Sequence, residues 1–393
     1  MRVSVVIAAH NAEDTIAETL QSLLDQTFSE WEAIVVDDGS TDRTRDVVEG
    51  FIRRDTRFRI MSQPQEGVST ARNSGIALAR FRWILFLDAD DWIFPRHLEC
   101  LTGLLRDDDS LDAVYCGWTY VTPDGSHVFE EFAGHTGDLF AVHAQDCFSV
   151  LHTYVVSRSL VEKVGGFDPS FKTCEDWDLW QRIARTGARF GGVPEILAAY
   201  RMRAGSASKN APQLLADGVR VLTRGHSIDP RVPKPHPVYP NGFSKEELPK
   251  CKFYLACACA GFMIGKREDA RGLLDQLEGE ICSDLNPYEI GSCLFRHAMV
   301  SSARPVSDWA GLWSDLKTLS DQFLGSLETY SATPFLAKRA GRVLNDLIRV
   351  FGIDRSFRGR MGYFQARARI SVYKMLIQSG GRFRYHLSRL FYR

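Results

Sequence analysis

Between Arg82 and Asp91 the chain reads Arg-Trp-Ile-Leu-Phe-Leu-Asp-Ala-Asp-Asp, an apolar run that passes without a polar break into three carboxylates within four positions. Trp83 to Leu87 has the length and continuous hydrophobicity of a strand covered on both faces, the pattern of a central parallel strand rather than an amphipathic one. In open α/β sheets ligands bind outside the carboxyl ends of the strands, so Asp88, Asp90 and Asp91 arrive where a ligand sits. Three acids so close repel one another unless a cation joins them. A hard divalent ion with oxygen ligands, Mg²⁺ or Mn²⁺, bridging to phosphates is the simplest one. Taken alone, the stretch equally fits a loop of solvated acids capping the next helix.

The flanking segments repeat the pattern. Val3 to Ile7 is a buried-strand candidate, and Ala12 to Gln26 has helical spacing at Ile16, Leu20, Leu23 and Leu24. Trp31 to Val36 is a second apolar run, ending in Asp37-Asp38-Gly39-Ser40, where a turn with an N-cap is the plain alternative to a ligand site. A helix follows from Thr41 through Val47, Val48, Phe51 and Ile52, then a short strand at Phe58 to Met61. A further helix from Gly67 to Arg80 carries Arg72 and Asn73 near its start. This alternation predicts a parallel sheet with right-handed crossovers, and it puts two acidic clusters at strand ends.

Four motifs in order carry a resemblance: Val3-Ser-Val-Val-Ile-Ala-Ala-His-Asn11, Val36-Asp-Asp-Gly-Ser-Thr-Asp42, Gly67-Val-Ser-Thr-Ala-Arg-Asn-Ser-Gly75 and Leu87-Asp-Ala-Asp-Asp91. Together they resemble the nucleotide-sugar half of a GT-A-fold, family 2 glycosyltransferase, over roughly residues 2 to 203. The resemblance implies a Rossmann-like α/β sheet, an Asp-x-Asp metal site, and inverting transfer of a sugar from a nucleoside diphosphate donor. It implies that Ala8 and His10 line the nucleobase, that Asp38 accepts a hydrogen bond from the base imide, and that Arg72 approaches the diphosphate. Asp88 would face the ribose, while Asp90 with Asp91 would hold Mn²⁺ or Mg²⁺. His10 departs from the Tyr common at that position, which leaves the base less defined, with UDP the expected donor nucleotide.

A second segment runs through Val164-Gly-Gly-Phe-Asp168 to Lys172-Thr-Cys-Glu-Asp-Trp-Asp-Leu-Trp180. Thr173 and Asp176 have capping-box spacing. A carboxylate at a helix start also stays ionised in the dipole field, as a base facing an acceptor hydroxyl requires. Glu175-Asp176 matches the family's Glu-Asp motif, which implies that Asp176 is the catalytic base. Glu175 is then a supporting or acceptor-binding carboxylate, and Trp177 either an acceptor platform or, at helical spacing with Trp180, core. Tyr200-Arg-Met-Arg203 stands where a Tyr-Arg-x-His string is common in the family, with Arg203 in place of the His, and the resemblance implies that Arg201 or Arg203 lies beside the diphosphate.

With 393 residues, two domains are the natural expectation. Residues 1–205 read as the GT-A catalytic domain, 206–245, rich in proline, as a linker or loop, and 246–393 as an α-helical accessory domain. There Tyr254 to Ile264 and Glu268 to Leu277 suggest a helical hairpin of tetratricopeptide type. Nine scattered cysteines without metal-site spacing argue against a disulfide framework and for a reducing, cytoplasmic compartment. The start is too polar for a signal peptide, and no apolar run is long enough to span a membrane. Net charge is −1, yet residues 335–393 hold 14 Lys and Arg against two Asp. Arginines alternating with apolar residues suit peripheral contact with an anionic membrane face, nucleic acid being the partner not expected. A glycan or lipid-linked acceptor is the expected second substrate. A sugar-nucleotide-binding module without catalysis is the alternative, which would have no need of the Glu-Asp pair.

Overall fold

The computed structural model describes residues 1–203, 210–305 and 308–351. The chain divides into two compact units: Met1–Tyr120, Glu130–Arg201 and Arg224–Phe243 form the first, and Val121–Phe129, Met202–Thr223 and Ser244 onward the second.

The first unit opens with the expected alternation: β1 (Val3–Ala9), α1 (Ile16–Leu24), β2 (Trp31–Asp38), α2 (Thr44–Arg54), β3 (Phe58–Gln63), α3 (Val68–Leu78) and β4 (Trp83–Phe86). β1 pairs in parallel with β2 and β4, and β2 with β3. Every residue of β2 and β4 is buried, so these strands show no alternation of polarity. Glu32, charged in mid-strand, accepts from Ser4, the Arg80 N–H and Arg59, each at 2.8 Å. α3 settles closely on β1 because position 75 is glycine: a Cβ there would lie 2.3 Å from Val6 Cγ1.

The chain continues through β5 (Trp92–Ile93), α4 (His97–Asp107), β6 (Ala113–Val121), β7 (His127–Glu131), β8 (Gly137–Asp138), α5 (Phe140–His143), β9 (Tyr154–Ser157), α6 (Arg158–Lys163), α7 (Glu175–Arg185) and β10 (Arg189–Arg201). The strand order is β3-β2-β1-β4-β9-β6-β10-β5, with β7 beside β6 and β8 beside β10. β9 runs antiparallel to both β4 and β6, so the parallel centre passes there into an antiparallel wing. Val6, Ile34, Phe86, Tyr154, Trp180 and Ile183 belong to the core that the sheet shares with its covering helices. The fold class read from the sequence, a parallel α/β centre flanked by helices with a helical region after it, holds.

The described part of the second unit is mainly helical: α8 (Ala211–Gly225, passing into the first unit at Arg224), α9 (Leu248–Gly265), α10 (Pro287–Ser302), α11 (Trp309–Tyr330) and α12 (Leu336–Phe351). Two expectations change. Within 206–245 a helix forms, and the proline-rich stretch after it is part of the first unit, because Tyr239 and Phe243 pack on that unit's core. The small, buried Ala256, Cys257 and Ala260 belong to a helix that packs on α10, whereas Arg271–Leu277 is a 3-10 helix rather than an α-helix. α12 buries Leu336, Ala340, Val343, Leu344 and Leu347 and exposes Lys338, Arg339, Arg342 and Arg349. No described helix is long and apolar enough to cross a membrane. Residues 352–393, most of the basic tail, lie outside the described residues. All nine cysteines are unbridged.

Candidate functional site

β2 and β4 flank β1, all three parallel, so their carboxyl ends open on one edge of the sheet, about 10 Å apart at ~4.8 Å per strand. At the end of β2 the buried Asp38 is heavily engaged. Its Oδ1 accepts from Gln63 Nε2 (2.8 Å) and the Glu66 N–H (2.9 Å), and its Oδ2 from the Gly67 N–H (2.8 Å). A carboxylate has about four acceptor positions, which leaves one on Oδ2. Asp37 turns instead to its own loop, accepting from the Ser40 N–H at 3.0 Å. Ala8 is half-buried and His10 exposed. His10 Nδ1 lies 2.8 Å from the Asp38 carbonyl, while Nε2 lies 3.2 Å from the Gln65 amide nitrogen and 3.3 Å from that of Asn11. Nδ1 is therefore the donor and Nε2 the acceptor.

Arg72, on α3, joins the end of β4 to the start of α7. It donates to Asp88 Oδ1 at 2.6 Å and to Glu175 Oε1 at 2.8 Å, with its own side chain only 5% exposed. Burial opposes its charge, but the two carboxylates outweigh burial and raise its pKa above the ordinary arginine value. Asp88, expected at the ribose, is thus an ion-pair partner of Arg72. Asp176 is the next residue after Glu175. Burial, and then the neighbouring Glu175 charge, push its pKa up to about 7 against the opposing pull of Arg72. The expected capping box is not formed with Thr173 as N-cap: the N-cap is Cys174, in the left-handed region at φ 63°, and its side chain makes no capping hydrogen bond. Trp177 is not an acceptor platform. It is 2% exposed, and its indole N–H donates to the His143 carbonyl at 2.7 Å.

The acids after β4 also sort differently from expectation. Ligand atoms of Asp88, Asp91 and His152 all lie within 4.8 Å of one another. Asp90 is not in that group, and its carbonyl accepts from Arg201 Nε at 3.0 Å. Asp91 and His152 are both buried, with Asp91 Oδ2 3.1 Å from His152 Nδ1. Burial pushes the Asp91 carboxyl up, and the Asp91 charge, working against burial, pushes the His152 imidazole up. Arg201, expected beside a diphosphate, is used to fix this turn. Its N–H donates to Asp91 Oδ1 at 2.7 Å, its guanidinium pairs with Glu18, and it stacks 4.6 Å over Trp92.

His152 joins these acids in space, although no sequence motif marks it. Only topology reveals it. Leu85 pairs with Val155 across β4 and β9, so continuing that antiparallel register sets position 152 opposite position 88.

With this geometry established, residues 4–161 match the sequence profile of the family described as Glycosyl transferase family 2. Over these residues the chain is similar to the family 2 glycosyltransferases. Proteins similar to it include the uncharacterized glycosyltransferase EpsJ of Bacillus subtilis, 32% identical over 210 residues, or 51% of this chain and 60% of that protein. A putative teichuronic acid biosynthesis glycosyltransferase, TuaG, of the same organism is 29% identical over 53% of this chain and 82% of that protein. The chondroitin synthase of Pasteurella multocida is 29% identical over 47% of this chain and 19% of that protein. The chain thus spans well under the full length of EpsJ and of the synthase. Among solved structures, the mannosyltransferase PcManGT of Pyrobaculum calidifontis, in complex with GDP-Man and Mn²⁺, is similar at 16% identity and TM-score 0.47, covering 82% of this chain and 87% of that one. S. aureus TarS 1-349 in complex with UDP-GlcNAc is similar at 17% identity and TM-score 0.45, covering 93% and 92%.

Proposed function

We propose that this glycosyltransferase moves a sugar, with inversion, from a UDP-sugar to a hydroxyl of a glycan or lipid-linked acceptor. The observation that carries the reading is the Asp88–Arg72–Glu175 bridge, which ties the acidic end of β4 to the turn that bears Asp176. Ala8 and His10 then line the base, and the spare acceptor position of Asp38 takes its imide N–H. Uracil offers one N–H between two carbonyls, whereas guanine presents an N–H and an amino group that together ask for two acceptors. One free position therefore favours UDP.

Asp88, Asp91 and His152 would hold the divalent ion. The residues fit such a group because a buried carboxylate and a buried imidazole stand together where neither is readily solvated. Two carboxylates with one imidazole suit Mn²⁺ better than Mg²⁺, which takes oxygen ligands. Bound there, the ion would neutralise charge on the departing diphosphate. Asp176, with a pKa near 7, takes the proton of the acceptor hydroxyl, and single displacement by that hydroxyl inverts the anomeric carbon. The teichuronic acid and chondroitin relatives support an acceptor in polysaccharide assembly.

The test is a panel of UDP- and GDP-sugars with Mn²⁺, read as donor turnover and product anomer for wild type and Asp176→Asn. Turnover of a UDP-sugar that falls by about 10³-fold in the variant is expected. Tight nucleotide-sugar binding without turnover in wild type would make the domain a binding module instead.

A further inference from the structure

The first turn of α7 carries Glu175, Asp176 and Asp178. At about 100° per residue, Asp176 and Asp178 stand about 200° apart around the helix axis and face opposite sides. Asp178 is fully buried, and behind the helix it enters a network of six charges. Arg182 Nε (2.9 Å), Arg231 Nη2 (2.8 Å) and Arg231 Nη1 (3.1 Å) donate to it, with Arg224 Nη1 at 3.5 Å. Arg231 also grips Asp168 at 2.9 Å and Asp229 at 2.7 Å. Three guanidiniums thus balance three carboxylates, which buried charges require. Arg182 goes on to the carbonyls of Val164 (2.6 Å) and Gly166 (2.7 Å). Asn73, the neighbour of Arg72, closes the circuit by accepting from the Phe167 N–H at 2.9 Å and donating to its carbonyl at 2.8 Å. Only glycine fits at 166, where φ is 69° and a Cβ would lie 2.4 Å from Asn73 Oδ1.

Arg231 and Asp229 come from the proline-rich segment after α8. Its His236 N–H donates to the Arg185 carbonyl at 2.8 Å, and its Tyr239 ring packs 4.7 Å from Phe140. The start of α7 gains from such a hold, because Cys174 enters it through the strained left-handed region. Arg72 holds Glu175 on one side, and Arg182 with Arg231 holds Asp178 on the other.

We propose that residues 226–243 form a strap that sets the position of Asp176, with Arg231 as its positioning residue. The kinetic consequence rests on the glycosyltransferase reading above; the structural one does not. In the full chain, Arg231→Gln speeds amide hydrogen exchange across 174–180 by about tenfold or more, while amides of β1, β2 and β4 keep their protection. It lowers kcat by about 10²-fold, since displacement by about 1 Å has that effect, and leaves donor KM and UDP affinity within about twofold. Arg231→Lys restores most of both. The paired variant Asp178→Asn/Arg231→Gln removes one charge of each sign, keeps the net charge of the network at zero, and still shows the loosened turn and low kcat. Wild-type exchange at 174–180 together with wild-type kcat in Arg231→Gln overturns the strap, as does a rise in KM with kcat unchanged. If the wild-type chain transfers no sugar at all, the enzyme reading fails and the exchange data alone decide the strap.

Discussion

At the scale of single residues, the proposed chemistry turns on acids held where they are poorly solvated. Asp176 is raised from 3.8 to about 7 by burial and by Glu175, so its ionised form is disfavoured in the folded state. The sign follows directly. Its contribution to stability is fully present below the unfolded pKa and is lost as pH climbs through the folded value. Asp176→Asn removes that loss. Allowing for partial solvation, urea unfolding of the ligand-free variant should gain on wild type by about 1–2 kcal/mol between pH 5 and pH 8. Wild-type kcat/KM should fall below about pH 7 as the base protonates. The Asp91–His152 pair makes a separate prediction. Calorimetry in two buffers of different ionisation enthalpy should show proton release on Mn²⁺ binding, because a cation displaces the proton the pair shares. His152→Ala should weaken Mn²⁺ at least about tenfold, whereas Asp90→Asn should leave it within about threefold. Equal affinity in wild type and His152→Ala would remove the imidazole from the ligand set.

At the scale of elements, β1, α3 and the end of β4 act as one piece. Gly75→Ala pushes a methyl into Val6, an overpacking of the β1–α3 contact that should cost about 1–3 kcal/mol and lower the melting temperature. It should also weaken UDP binding, since Asp38 accepts from the Gly67 N–H at the start of the same helix. The parallel half of the sheet is legible in the sequence because its strands are buried on both faces, and continuous apolar runs ending in acids are a direct image of that burial. Asp38, Asp88 and Asp176 are legible for the same reason, each at the boundary of a strongly patterned element. β9 is not, since Tyr-Val-Val-Ser is too short to show a period, and with β9 hidden His152 has no route to the acids. Trp177 misleads because a tryptophan beside two carboxylates reads equally as surface or core, and only the His143 carbonyl that accepts from its indole N–H decides between them. The proline-rich strap misleads in the opposite way. Its prolines announce an irregular backbone, while its four anchoring side chains, Asp229, Arg231, Tyr239 and Phe243, are scattered without a period.

At the scale of the whole molecule, charge is separated along the chain. Residues 335–393 carry +12 and the rest −13. Where the tail begins, α12 displays Lys338, Arg339, Arg342 and Arg349 opposite a buried apolar stripe, so these cations face solvent rather than internal partners on the helix's inner side. Each Lys or Arg close to an anionic bilayer contributes about 1 kcal/mol, and the attraction decays over a Debye length of about 8–10 Å near physiological salt. The full chain should therefore cosediment with vesicles containing phosphatidylserine at about 50 mM salt and be released at about 0.5 M, while neutral vesicles leave it in the supernatant. Ending the chain after Phe351 removes ten Lys and Arg and one Asp, which leaves a formal charge of −10. Such a chain keeps the four cations of α12 but is repelled as a whole, so its binding to the same vesicles should drop at least about tenfold. Equal sedimentation of the two chains would show that the tail does not direct the protein to a membrane. Loss of binding to anionic vesicles with no change in turnover of a water-soluble acceptor would separate attachment to a membrane from the proposed transfer reaction.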